Sequence, residues 1–472
     1  MRRVATLLGF FVLVGSAGAA ETAVSAPSFR TVRDFDTSAK AAQSVAIADL
    51  NADGKLDLVA AHGSGDLPEE LRPLRAISVL LNRGDGRFRP SHAYPTGKAG
   101  DENGAWSIAV GDLTGDGKPD VATGNPGGRS VSVLVNSGRG AFEPPVNYPL
   151  DREPWDIAIA DLNADGKLDI TTANPNTVSV LLNHGDGTFG DKVDFPTGRD
   201  TWAFAVGDLS GDGKPDIATA SNSLSSVSVL VNRGDGGFDV GIQYPTGPGP
   251  RAITMGDVNR DGKPDVVTAN GSSDPTGDLD WIDGISVLLG KGDGTLRPKH
   301  DYRPRSDQSS GLQFVSIRIG DMNGDRKPDL VTADGSDDWS MSVFVNGGKG
   351  TFRRHFDYGW IDYTSQEVGL GSEAVALGDL NGDHKLDAVE PRWDEVSVFI
   401  NAPGLCTVPR VESLRLQSAR RVLAERHCSI GKIKWRPGGP RGWVLLQRPD
   451  AGAVLPKGSK VNLVVSSGEK SR

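Results

Sequence analysis

The chain has 472 residues, with 51 Lys+Arg against 61 Asp+Glu, and the net charge of −10 argues against nucleic acid as the main partner. Glycine supplies 61 residues and apolar side chains only 37%, which excludes a helical protein and suits an all-β chain of short strands and tight turns.

At the start, Arg2 and Arg3 precede an apolar run over residues 4–14, and Ala17, Gly18 and Ala19 form a small-residue cleavage site. Residues 1–19 therefore read as an export signal. The run is shorter than the ~20 residues a spanning helix needs, and no later stretch is suited to crossing a bilayer. The expected location is secreted: extracellular or associated with a cell wall, where calcium is plentiful.

The middle of the chain is periodic. The pattern of Asp161-Leu-Asn163-Ala-Asp165-Gly166-Lys167-Leu-Asp169 occurs seven times, starting at Asp49, Asp112, Asp161, Asp208, Asp257, Asp321 and Asp379. The intervals of 63, 49, 47, 49, 64 and 58 residues describe a basic unit with insertions, the signature of a solenoid, propeller or array. Oxygen-bearing side chains stand at positions 1, 3, 5 and 9, with glycine usually at 6. A tight loop turns such alternate oxygens inward, and a main-chain carbonyl at position 7 adds another. Ca2+ is a hard cation that wants 6–8 oxygen ligands, so this is a calcium loop in miniature. Plain turns also favour Asp, Asn and Gly, but a turn does not require carboxylates at positions 1, 5 and 9 together in every copy.

Residues 151–198 serve as the type unit. Alternation predicts a first strand over 155–161, then the loop, a second strand over 168–173, a third over 177–183, a turn at His184–Gly187 and a fourth strand over 188–195. Four short antiparallel strands make one propeller blade. One face of the first strand is bulky in each unit (Ile157 and Ile159, for example) and the other mostly small (Ala158 and Ala160), so large residues of one blade are expected against small ones of the next. Arg318 breaks the small face of the sixth unit. The seventh unit stops at Asn401 without a fourth strand, while residues 28–35 have the pattern of fourth strands elsewhere. The N-terminal segment is expected to complete the last blade and leave no exposed sheet edge there.

Asp-x-Asn-x-Asp-Gly-x-x-Asp paired with Val-Ser-Val-Leu-Leu-Asn-x-Gly-Asp-Gly-x-Phe resembles the FG-GAP/VCBS repeat family, which includes the integrin α-subunit propeller and many secreted bacterial proteins. The resemblance covers about residues 28–403 and implies a seven-bladed β-propeller with up to seven structural Ca2+ in the loops between first and second strands. Its ligands would be Asp49, Asn51, Asp53 and Asp57; Asp112, Thr114, Asp116 and Asp120; Asp161, Asn163, Asp165 and Asp169; and Asp208, Ser210, Asp212 and Asp216. The later loops would use Asp257, Asn259, Asp261 and Asp265; Asp321, Asn323, Asp325 and Asp329; and Asp379, Asn381, Asp383 and Asp387. Position-7 carbonyls would come from Lys55, Lys118, Lys167, Lys214, Lys263, Lys327 and Lys385. Thr114 and Ser210 offer hydroxyls in place of amides, and Arg326 and His384 replace the position-6 glycine.

Six residues before the loops, Trp106, Trp155 and Trp202 occupy adjacent blades, followed by Arg251 and, in the seventh unit, Glu373. This end of the first strand faces away from the metal loops, near the channel. The set is a candidate platform for a sugar ring or a partner side chain; packing between blades is the alternative. Insertions over 63–75, 271–284, 303–312 and 359–372, two of them holding Trp281, Trp360 and Tyr363, are either binding loops or tolerated surface variation. Arg83-Gly-Asp85 and Arg233-Gly-Asp235 spell an adhesion tripeptide, but sister units place similar residues in the same turn. There is no Gly-x-Ser-x-Gly, His-Glu-x-x-His or phosphate loop.

After Asn401 the pattern changes. A short helix is expected over 416–427, with strands over 430–435, 442–448 and 460–466. Residues 406–468 carry a charge of +9, leaving −19 for the remainder. Cys406 and Cys428, alone in an exported chain, read as a disulfide worth about 3 kcal/mol by the chain-entropy estimate. Val408-Pro-Arg-Val411, Cys428-x-x-Gly431, Gln447-x-Pro449-x-x-Gly452 and Leu455-Pro-x-Gly458-Ser-x-Val461 together resemble a PASTA domain over residues 404–468, followed by a tail at 469–472. The resemblance implies association with peptidoglycan fragments, and the basic charge adds an anionic wall polymer; a spacer role is the alternative. The combined reading is a secreted calcium-binding propeller that binds a glycan or protein, with a wall-associating C-terminal module. The competing reading is a carbohydrate hydrolase or lyase acting at the channel mouth.

Overall fold

A computed structural model describes residues 27–468 apart from 40, 64–74, 98–103, 240, 272–283, 304–313, 336–340, 353, 359–373, 393–394, 403–404 and 452. The export signal, Glu373, Trp281, Trp360, Tyr363 and nearly all of the four insertions lie outside the described residues.

The described residues form seven four-stranded antiparallel sheets. In the third, Asp156–Ala160, Asp169–Asn174, Thr177–Leu181 and Val193–Pro196 pair in chain order. The fourth strand is shorter than expected. Residues 184–190 close a tight hairpin in which Phe189 bridges Asn183 and turns its ring inward, so regular pairing resumes only at Val193. The last sheet takes its outer strand from the N-terminal end: Phe29–Asp36 pairs antiparallel with Glu395–Asn401, beside Asp387–Pro391 and Ala376–Gly378. Phe29 sits in that seam, edge-on to Phe399 and Tyr358.

The innermost strands touch in succession around a ring that ends where it began, with Ala42–Ala48 against Ser107–Gly111 on one side and Ala376–Gly378 on the other. Close approach explains the small face. A Cβ at Gly111 would stand 3.1 Å from Ile159 Cγ2, one at Gly256 2.9 Å from Ile319 Cδ1, and one at Gly378 3.2 Å from Ile47 Cγ2. Small residues of each blade therefore receive bulky ones from the next, and the last contact closes the ring. Apolar layers lie between adjacent sheets. One joins Leu58, Ala60 and Leu80 of the first sheet to Val389, Val396 and Val398 of the last. Each fully buried Leu or Val there contributes about 1.5–3 kcal/mol relative to exposure.

Arg318, which departs from the small-face rule, donates from its guanidinium to Ile317 O at 2.9 Å and lies within electrostatic range of Asp156 of the third blade, on another sector of the ring. It retains solvent-accessible surface while protein surrounds it, as expected for a side chain standing in the channel.

The C-terminal module has one helix, Leu416–Glu425, on a sheet ordered Ser429–Arg436, Lys460–Ser466, Val444–Arg448. Ala419 and Leu423 bury the helix face against Val461, Leu463 and Val465. The helix ends two residues earlier than the sequence pattern implies, because His427 takes a left-handed φ of 57° that stops it. The Cys406–Cys428 disulfide ties the strand Leu405–Thr407 to the segment after the helix. The module rests on the ring, with the Arg426 guanidinium 4.2 Å from the Tyr358 ring centroid and 5.1 Å from that of Phe356.

Candidate metal loops and channel mouth

Each Asp-rich loop joins the first two strands of a sheet and carries left-handed residues at positions 4 and 6. Ala52 and Gly54 take φ of 58° and 79°, and Gly324 and Arg326 take 77° and 64°. In the two loops lacking glycine at position 6, position 4 is glycine (Gly324 and Gly382), so only one residue with a Cβ bears the left-handed cost of about 1 kcal/mol. Arg326 and His384 donate their N–H to the position-1 carboxylates of Asp321 and Asp379 as glycine does elsewhere. The sixth and seventh loops thus keep the backbone of the others.

Position 1 accepts loop N–H groups: Asp49 takes those of Asp53 and Gly54 at 3.1 and 2.8 Å. Position 5 accepts the N–H of position 7, and in six loops its second oxygen meets the position-7 ammonium, as between Asp53 and Lys55 at 3.2 Å. Position 9 is fully buried. Asp57 accepts from Leu50 N and Asn82 N at 3.0 and 2.7 Å. Burial, with smaller repulsion from the loop's other aspartates, pushes up the carboxyls of Asp120 and Asp169, and those of Asp57 and Asp265 to about 6 and of Asp329 and Asp387 to about 7; their N–H bonds oppose the shift.

Among the described residues no three Asp, Glu, His or Cys side chains converge as a ready-made metal cluster. The donor set nonetheless fits a hard cation. Each loop holds three carboxylates, each oxygen of which has a second lone pair. At position 3, Asn51 Oδ1, Asn259 Oδ1 and Ser210 Oγ are buried without any hydrogen-bond partner. Orphaned oxygens at one repeat position in three loops, two of them beside the buried carboxyls of Asp57 and Asp265 whose ionisation burial opposes, are a donor set that a hard cation would satisfy.

At the other end of the inner strands the three tryptophans meet. Trp106 and Trp155 have ring centroids 5.0 Å apart, and Trp155 stacks on Trp202 at 5.4 Å with an interplanar angle of 20°. Trp202 is 41% exposed, with its indole N–H donated to Asp200. The inner two are half-buried and the outer face is open. Arg251 lies in the next blade, half-buried and already partnered. Beside Trp155, Asp156 accepts the N–H of Phe204, and burial raises its pKa.

The FG-GAP-like repeat family matches residues 49–123, 112–172, 161–219, 211–268 and 321–389, more than half of the chain. This chain belongs to the FG-GAP-like repeat family. A PASTA domain follows at residues 407–467. A probable serine/threonine-protein kinase of Clostridium perfringens is 30% identical over 121 residues, 23% of this FG-GAP chain, which spans only 18% of the kinase's length. Among solved structures, an Agrocybe aegerita lectin recognising non-reducing terminal N-acetylglucosamine shares 20% identity over 68% of this chain and 80% of its own, at a TM-score of 0.46. A catalytically inactive Staphylococcus aureus virginiamycin B lyase shares 11% over 78% and 99%, at 0.48. At such values neither bears on what this FG-GAP protein binds.

Sequence reasoning missed the residue that joins six of the seven FG-GAP loops to a neighbouring blade, the Asn ending the third strand. Asn136 Nδ2 donates to Leu50 O in the previous loop and to Pro119 O in its own at 2.9 and 3.0 Å, while its Oδ1 accepts Gly138 N. Asn183, Asn232, Asn346 and Asn401 repeat the bond to the preceding loop, and Asn82 makes it to Leu380 across the closure. The signal was the Asn recurring at one offset in Val-Ser-Val-Leu-Leu-Asn. Also missed was a polar seam through the second, third and fifth blades: in the third, Thr172 donates to Asn174, Asn174 to Ser179, and Ser179 to Asp194.

Proposed function

We propose that this protein is a secreted, calcium-stabilised propeller that binds a glycan at its channel mouth and associates with a bacterial wall through its PASTA domain. Calcium is assigned to the seven loops, held by the carboxylates at positions 1, 5 and 9, the side-chain oxygen at 3 and the carbonyl at 7. There it would neutralise clustered charge and reverse the burial-driven rise in pKa. The role is structural, because Asn bonds tie six of the seven loops to the next blade.

The observation that carries the binding reading is the continuous Trp106–Trp155–Trp202 stack with its outer ring open. Flat aromatic faces suit the apolar faces of sugar rings. The absence of a membrane-crossing helix among the described residues and the presence of the PASTA domain support an extracellular or wall location. The test is a glycan array on the calcium-loaded protein and its Trp202→Ala variant. Loss of binding with unchanged melting supports the platform; equal binding by both overturns it. Conversion of wall or plant polysaccharides by the purified protein would favour the enzymatic reading.

A further inference from the structure

The C-terminal module holds a cleft of about 500 Å3 lined by Arg415, Leu416, Gln417, Arg420, Arg441 and Gly442. Three of these six side chains are arginines, and no acidic residue lines the cleft. All three are exposed, and among the described residues none has an ion-pair or hydrogen-bond partner. Two other arginines of the module are engaged: Arg448 pairs with Asp450 at 2.8 Å, and Arg426 covers two aromatic rings.

The cleft opens where the helix Leu416–Glu425 begins. Arg415 occupies the N-cap without a side-chain bond, and the first turn has no acidic residue. Leu416 N–H donates to Gly442 O, which fixes the Arg441 loop beside the helix start. The N–H groups of Gln417 and Ser418 have no protein acceptor. Gln417, at the helix start, lines the cleft together with the three arginines, and helix starts and guanidinium forks both favour anions.

Building on the wall-association reading above, we infer that this cleft is a binding site for a phosphodiester-linked polyol polymer. A guanidinium presents a planar fork of N–H donors that matches phosphate oxygens. Three forks exceed what one two-oxygen carboxylate engages, whereas a polymer with an anion in every unit meets them together. The cleft lies in the 300–1,000 Å3 range of ordinary ligand sites, enough for a short repeat.

The test uses the full chain and three probes: poly(glycerol phosphate), inorganic phosphate, and peptidoglycan sacculi stripped of phosphate polymer. The Arg415→Gln/Arg420→Gln/Arg441→Gln variant is compared with Lys432→Gln/Lys434→Gln/Lys460→Gln, which removes the same charge from exposed positions elsewhere on the module. The expected result is that poly(glycerol phosphate) binds the native chain, that the arginine variant binds at least tenfold more weakly, and that the lysine variant stays within twofold. Inorganic phosphate should compete only at much higher concentration. Equal loss in both variants would overturn the cleft, leaving diffuse attraction. Binding to stripped sacculi but not to the phosphate polymer overturns the ligand class while the wall reading stands; binding to neither removes both. All six side chains are exposed, so matching melting curves verify that folding is intact.

Discussion

Replacing Asn136 by Ala removes one joint of the loop ring while leaving every proposed calcium ligand in place. Three bonds disappear. The one to Leu50 O is buried, and those to Pro119 O and from Gly138 N are half-buried. Water replaces a partner at the half-buried groups at roughly 0.5 kcal/mol each, and the Leu50 carbonyl, which keeps the N–H of Gly140 at 3.1 Å, loses one bond worth about 1 kcal/mol, for a total of about 2 kcal/mol. A propeller of roughly 370 residues has an unfolding entropy near 0.8 kcal/mol/K, so the melting temperature should fall by about 3 °C. Calorimetry in millimolar calcium measures this, with Asn183→Ala and Asn232→Ala as replicates in other blades. The fifth blade has Gly290 at the equivalent position, where a Cβ would lie 2.0 Å from Pro264 O; there the Gly294 N–H reaches Leu209 O without an asparagine beside it, whereas Gly86 and Gly140 make the same bond alongside Asn82 and Asn136. A shift under 1 °C in all three variants would refute the view that these asparagines hold the blades together.

Excess chelator should lower the melting temperature by about 10 °C. At tenfold excess over its dissociation constant each of seven sites is worth roughly 1.4 kcal/mol, and an unchanged curve with metal-free elemental analysis would remove calcium from the account. Glu390 is 1% exposed with Oε1 unpartnered, and burial pushes its pKa from 4.5 to about 8, opposed by Arg392 and reinforced by Asp334. A carboxyl with a raised folded pKa contributes stability that is fully present below the unfolded value and lost as pH rises through the folded one. Glu390→Gln should therefore gain on the native chain from pH 4.5 to 8, by on the order of 4 kcal/mol, and level off above; parallel stability curves would exclude the shift. Gly290→Ala should destabilise by about 1–3 kcal/mol through overpacking against Pro264, and urea titration showing no change would contradict that contact.

Much of this architecture is written locally. The seven loops, the two-residue alternation of the inner strands, the missing last strand and the segment that supplies it all follow from patterns within about 50 residues, because strand period and turn chemistry are short-range properties. The PASTA helix, its strands and its cysteine pair were legible for the same reason. Partners chosen by ring geometry were not. Asn82 meets Leu380 only because the circle closes, the charge of Arg318 acts on Asp156 only because the ring brings the sixth and third blades within electrostatic range, and Trp155 stacks on Trp202 only because neighbouring blades splay by a particular angle. Arg415, Arg420 and Arg441 likewise share a cleft because the turn before Gly442 folds back onto the helix start. Sequence periodicity states which way a side chain faces within its own sheet; only the packed ring and the docked module decide what stands opposite.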